Sequence, residues 1–127
     1  YRPYDRALAG MMAPAGSVQL SIHSFTPQLR GRPPRPWHVG ILHAGANPLA
    51  AALLRLLRAE PDLVTGENEP YGGHLPGDAI DRHALALGRA NVLIELRNDL
   101  IATPEGQQAW AARLAPLLTR ALADSGL

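Results

Sequence analysis

Apolar and polar residues alternate over 18–24, where Val18, Leu20 and Ile22 are separated by Gln19 and Ser21. A period of two predicts a half-buried strand. Pro27 has no backbone donor, so sheet pairing should stop near it and His23 should sit where the strand leaves its sheet. Ligands of open α/β sheets bind at such strand ends. The run Val92-Leu93-Ile94-Glu95-Leu96-Arg97 is more continuously apolar and predicts a buried strand over 91–97. Trp37 to His43 predicts another strand, and Leu63-Val64-Thr65 a short one.

Between these runs the period changes to that of a helix. Pro3, Tyr4, Ala7, Leu8 and Met11 or Met12 predict a helix over 4–13. Asn47 caps a second helix with Pro48 in its first turn, and Leu49, Leu53, Leu56 and Leu57 share one face until Glu60-Pro61 ends it. Asp78 caps a third running to Leu87, with Gly88 as its left-handed stop. Thr103 and Pro104 open the last, whose stripe is Trp110, Leu114, Leu117, Leu118 and Leu122, with a kink expected at Pro116. Strand, helix and strand with short joins predict two right-handed parallel crossovers, one over 37–65 and one over 63–97. The expected fold is a single α/β domain over 1–127. Its three α/β/α layers hold a mixed, mainly parallel sheet, with the site at the carboxyl ends of strands 18–24 and 91–97.

Composition narrows the function classes. The chain has 127 residues, 46% of them hydrophobic, which excludes a disordered segment. The formal net charge of +1 offers no general attraction to nucleic acid or to an anionic membrane. All 12 basic residues are Arg. Three of them, Arg30, Arg32 and Arg35, lie among prolines in the loop 28–36, which reads as a phosphate patch, a ligand for a proline-binding domain or a solvated loop. An aromatic content of 5% weighs against nucleic-acid binding. There is no Cys, hence no disulfide and no thiolate metal site. No apolar run is long enough to span a membrane, so a cytoplasmic enzyme is expected.

The residue that changes the picture is Glu95. A carboxylate inside an apolar run is costly unless it is paired, metal-bound or used in chemistry. Placed beside His23 at an adjacent strand end, it supplies what a metal hydrolase uses, although a lone His is commonly structural. The glycine- and proline-rich loop 66–77 carries Asn68, Glu69, Tyr71 and His74, and loops of that length are often functional.

These residues also carry a family resemblance. Ser21-Ile22-His23-Ser24, followed by Ile94-Glu95-Leu96-Arg97, resembles the strand pair of zinc carboxypeptidases. The chain more closely resembles the N-formylglutamate amidohydrolase family. The matching blocks are His23-Ser24-Phe25-Thr26-Pro27, Arg35-Pro36-Trp37-His38-Val39-Gly40-Ile41-Leu42, Asn68-Glu69-Pro70-Tyr71, Ile80-Asp81-Arg82-His83 and Ile94-Glu95-Leu96-Arg97-Asn98-Asp99-Leu100-Ile101.

The resemblance implies a partial zinc-exopeptidase-like fold, a Zn2+ cofactor with His23 as one ligand, and Glu95 as the catalytic base. It implies hydrolysis of N-formyl-L-glutamate, or a similar small N-acyl amino acid, to formate and L-glutamate. A dicarboxylate substrate calls for guanidinium groups, for which Arg97 and Arg82 are candidates. Arg97 could instead pair with Asp99 or Glu95. Tyr71 falls where carboxypeptidases keep a mobile active-site tyrosine, or it is a surface residue. His83 could touch substrate or make a structural bond. Structural roles are expected for His38 and His43, and an exposed loop position for His74.

The family's other two zinc ligands belong to the half that precedes this region. Nothing before His23 resembles His-x-x-Glu, and Asp5 is the one acid upstream. The expectation is therefore the second half of a family domain, with a bare sheet flank that the other half or a second copy would cover. The alternative is a non-catalytic binding module that lacks the metal.

Overall fold

In the computed structural model, which describes residues 2–73 and 75–127, the sheet is built around β4 (Asn91–Arg97). β4 lies between β1 (Gln19–Phe25) and β2 (Val39–Leu42), and β3 (Thr65–Glu67) follows β2, giving the order β1-β4-β2-β3. β1 runs parallel to β4 and β2 parallel to β3, whereas β2 and β4 are antiparallel. The sheet is thus mixed and mainly parallel.

The predicted crossover from β2 through α2 (Pro48–Arg58) to β3 is parallel, as its short joins require. The second predicted crossover is not. β4 returns on the far side of β2 and runs against it, so the connection from β3 to β4 is no parallel crossover. Its helix is also too short to serve as one. The expected helix 78–87 breaks at Ala84 into α3 (Ala79–His83) and a 3-10 turn over Leu85–Leu87, ended by left-handed Gly88.

Helices flank both faces of the sheet. α2 and α4 (Pro104–Asp124) cover one face. There Leu49, Leu53, Leu56, Leu57, Trp110 and Leu114 pack on Val39, Ile41, Val92, Ile94 and Leu96. α4 continues through Pro116, which lies on its exposed side. The caps are those the sequence signals: Asn47 Oδ1 accepts from Ala50 N, Asp78 Oδ1 from Asp81 N and Thr103 Oγ1 from Gly106 N. On the opposite face lie α3 and, joined to it through side chains, α1 (Arg2–Met12).

β1 departs from its predicted burial. Leu20 and Ile22 face the helix-covered side in register with Val92 and Ile94, yet they stay 39% and 57% exposed. Among the described residues β1 is an edge strand, and α4 reaches only far enough to form a shallow apolar groove with Ile22. The strand predicted at 63–65 forms two residues later. Leu63 N bonds back to Glu60 O in the turn that ends α2, so pairing starts at Thr65.

Candidate functional site

Parallel pairing of β1 and β4 puts His23 opposite Glu95. The alternation of β4 sends Val92, Ile94 and Leu96 into the helical core and Leu93, Glu95 and Arg97 to the other face. His23 Nδ1 lies 3.8 Å from Glu95 Oε1. That is beyond a hydrogen bond and within reach of a charge interaction. The two side chains differ sharply in access, at 59% exposed for His23 and 7% for Glu95.

Glu95 is the chemically anomalous residue. Its Oε2 is buried and has no hydrogen-bond partner among the described residues. Burial pushes its carboxyl above the usual glutamate range, while the charges of His23 and Arg35 pull it partly back. An unsatisfied buried acceptor costs about 1–3 kcal/mol, more when charged, and such groups concentrate at functional sites.

A cavity of about 240 Å³ opens over this pair, lined by His23, Glu95, Leu42, Leu93, Ile80 and the loop residues Tyr71, Gly72 and Gly73. The loop is seated by glycines. Gly40 lies opposite Glu95 on β2, and a Cβ there would collide with the Glu69 carbonyl oxygen. A Cβ at Gly73 would collide with the His43 backbone and with Asn68 Oδ1. Asn68 adopts a left-handed φ of 51°, and its Oδ1 accepts from His43 N at 2.9 Å. Close backbone packing thus carries Tyr71 to the cavity rim.

The structure brings His23, Glu95 and Tyr71 together, but not Arg82, His83 or Arg97. Arg97 grips Asp99 through Nε at 2.8 Å and Nη2 at 3.2 Å, a bidentate pair that holds the Asp99 carboxyl below the usual range. Arg82 Nη2 and His83 Nε2 both engage Asp5 Oδ1, at 2.8 and 2.7 Å, tying α3 to α1. Of the open alternatives, Arg97 takes Asp99 and His83 takes a structural bond.

His38 and His43 also have structural partners. His38 Nδ1 accepts from Val64 N at 2.8 Å, while His43 Nε2 meets Glu67 Oε1 at 3.1 Å and its Nδ1 lies 3.0 Å from Gly45 O. His74 lies outside the described residues. The residue that sequence reasoning missed is Arg35. Nη1 of Arg35 reaches the Tyr71 hydroxyl at 3.3 Å, and its charge acts on Glu95. The proline-rich loop reads as a phosphate patch, a ligand for a proline-binding domain or a solvated loop, none of which points to this cavity, and the available signal is that Arg35 opens one of the resemblance blocks.

A tetrahedral zinc site of the catalytic kind takes three protein donors. Among the described residues no three His, Cys, Asp or Glu side chains come together to hold a metal. His23 and Glu95 by themselves do not fit a resident zinc.

Comparison with known proteins gives the family and the fold. A family model described as N-formylglutamate amidohydrolase matches residues 1–102. A crystal structure of the gene product Atu2144 from Agrobacterium tumefaciens is 36% identical and superposes with a TM-score of 0.83. That match covers 100% of this chain and 52% of the other, so the chain spans about half the length of that relative. No curated protein matches. A family match over residues 1–102 and a 36% identical relative aligned over the whole chain place this chain in the N-formylglutamate amidohydrolase family.

Proposed function

We propose that this chain carries the base of an amide-hydrolysing centre acting on small N-acyl amino acids, with N-formyl-L-glutamate as the expected substrate. The observation that supports this most is Glu95: a buried carboxylate, raised in pKa, with one oxygen unpartnered among the described residues at a cavity wall. In this reading Glu95 takes a proton from the attacking water as its oxygen adds to the acyl carbon. It then returns that proton to the amine as the C–N bond breaks, leaving formate and L-glutamate. Tyr71 borders the acyl group, and His23 faces the open side of the cavity.

Zn2+ belongs to the proposal as cofactor, with His23 as one ligand and the remaining donors supplied from outside the described residues. The missing half of the family domain or a second copy of the chain are the partners that could provide them. The cytoplasm is the proposed compartment. Among the described residues no helix is long and apolar enough to cross a membrane.

The test is release of L-glutamate from N-formyl-L-glutamate with added zinc, comparing the parent chain with Glu95→Gln. The expected loss in the variant is about 10²–10⁴-fold, with zinc content unchanged. Near-parent turnover by Glu95→Gln would remove it from the role of base. The absence of a three-donor cluster among the described residues favours a second reading, a binding module without turnover. Ligand binding that needs no zinc and releases no product would select that reading.

A further inference from the structure

Arg35 differs from the cations that sequence reasoning put forward. Arg97 and Arg82 are each held by a carboxylate. Arg35 has no carboxylate within ion-pair distance among the described residues, yet it is firmly placed. Its backbone N donates to Pro27 O at 2.8 Å, and Nη1 donates to Thr26 O at 3.0 Å and to the Tyr71 hydroxyl at 3.3 Å. Its guanidinium carbon lies 5.8 Å from the centroid of the buried Phe25 ring and 5.2 Å from that of Tyr71. Two rings and a carbonyl therefore orient the fork before any anion arrives, which lowers the ordering cost of binding one.

The need for such a group follows from the cavity. Glu95 is an acid in a poorly hydrated wall, and an N-acyl amino acid brings at least one further negative charge. A cation must face that charge for the substrate to enter beside Glu95. Tyr71 lines the cavity, and Arg35, just outside that lining, reaches the Tyr71 hydroxyl and is close enough for its charge to act on Glu95.

Building on the function proposed above, we infer that Arg35, presented by Phe25 and Tyr71, is the specificity-determining residue that receives a substrate carboxylate. This guanidinium selects acylated amino acids over neutral amides and sets the acyl carbon over Glu95. Arg97 and Arg82 keep their structural pairs throughout.

Calorimetric titration tests this with N-formyl-L-glutamate, its α-amide and its γ-amide, each in zinc-containing buffer, against the parent chain, Arg35→Ala and Arg35→Lys. The parent should bind one of the two amides about tenfold or more weakly than the acid, which identifies the carboxylate involved. Arg35→Ala should lose a similar factor for the acid and no longer distinguish that amide. Arg35→Lys, which keeps the charge without the fork, should fall between them. Unchanged far-UV circular dichroism and urea midpoint would show that the variants fold.

Retention of the parent's discrimination by a folded Arg35→Ala overturns the inference and leaves the proposed function standing. Failure of the parent to bind any of the three ligands overturns both.

Discussion

The two faces of the β-sheet show opposite solutions to burial, built on the same strand. On one face Val92, Ile94 and Leu96 of β4 meet the leucines of α2 and Trp110 and Leu114 of α4 in a core whose side chains need no polar partner. On the other, alternating with them, Leu93 and Glu95 lie beneath a loop and a short helix. There the backbone packs against glycines rather than side chains, and one oxygen of a buried carboxylate has no hydrogen bond among the described residues. The helical face gains stability by removing apolar area from water. The loop face gives some of it up to hold a reactive group in a cavity. Strand alternation lets one β4 serve both without conflict.

The largest expected effect lies on the helical face. Leu53 is fully buried, so Leu53→Ala should cost about 2–5 kcal/mol in urea denaturation and leave any ligand binding at Glu95 unchanged in the folded fraction. A cost below about 1 kcal/mol would mean that this face is loosely packed, and the contrast between the faces would collapse.

A smaller loss is expected where the loop meets the sheet. In Gly40→Ala the new methyl would displace the Glu69 carbonyl and the loop carrying Tyr71, at a cost of about 1–3 kcal/mol. Amide hydrogen exchange should accelerate across 68–73 and not across α2. Uniform acceleration over the whole chain would show instead that the loop and the core unfold as one unit.

The smallest effect has the opposite sign. Because the folded-state pKa of Glu95 is raised by burial, its contribution to stability is fully present below the ordinary glutamate pKa and is lost as pH rises through the folded value. At neutral pH, above the ordinary glutamate pKa, that contribution is diminished, and metal-free Glu95→Gln should melt above the parent. The difference should shrink as pH falls toward about 4, where the parent carboxyl is protonated. A variant less stable than the parent at pH 7 would mean that Glu95 is a satisfied structural group.

Much of this division was legible in the sequence because it rests on local periodicity. The 91–97 strand, the leucine face of α2 and the caps at Asn47, Asp78 and Thr103 are each set by residues a few positions apart. The pairing of His23 with Glu95 was also within reach, since both fall at carboxyl ends of strands expected in one sheet. The antiparallel run of β4 against β2 was not, because strand order depends on contacts distant in sequence. Nor was the exposure of Ile22, as alternation tells which face a residue takes and not what covers that face. Arg35 escaped because its role needs Tyr71, 36 residues away, to stand beside it.

The in-register placement of His23 and Glu95 has a consequence for how the site could change over generations. Their separation follows the rungs of a hydrogen-bonded ladder, so it carries a parity. Sliding β1 by one position would set Ile22 or Ser24 across from Glu95 and turn the imidazole to the helical side. A slide of two would restore the facing but move the histidine off its rung. A change of length in the loop 28–36 would therefore move Arg35 but leave this pair in place, whereas the segment from Gln19 to His23 cannot change length by one without dismantling the pair.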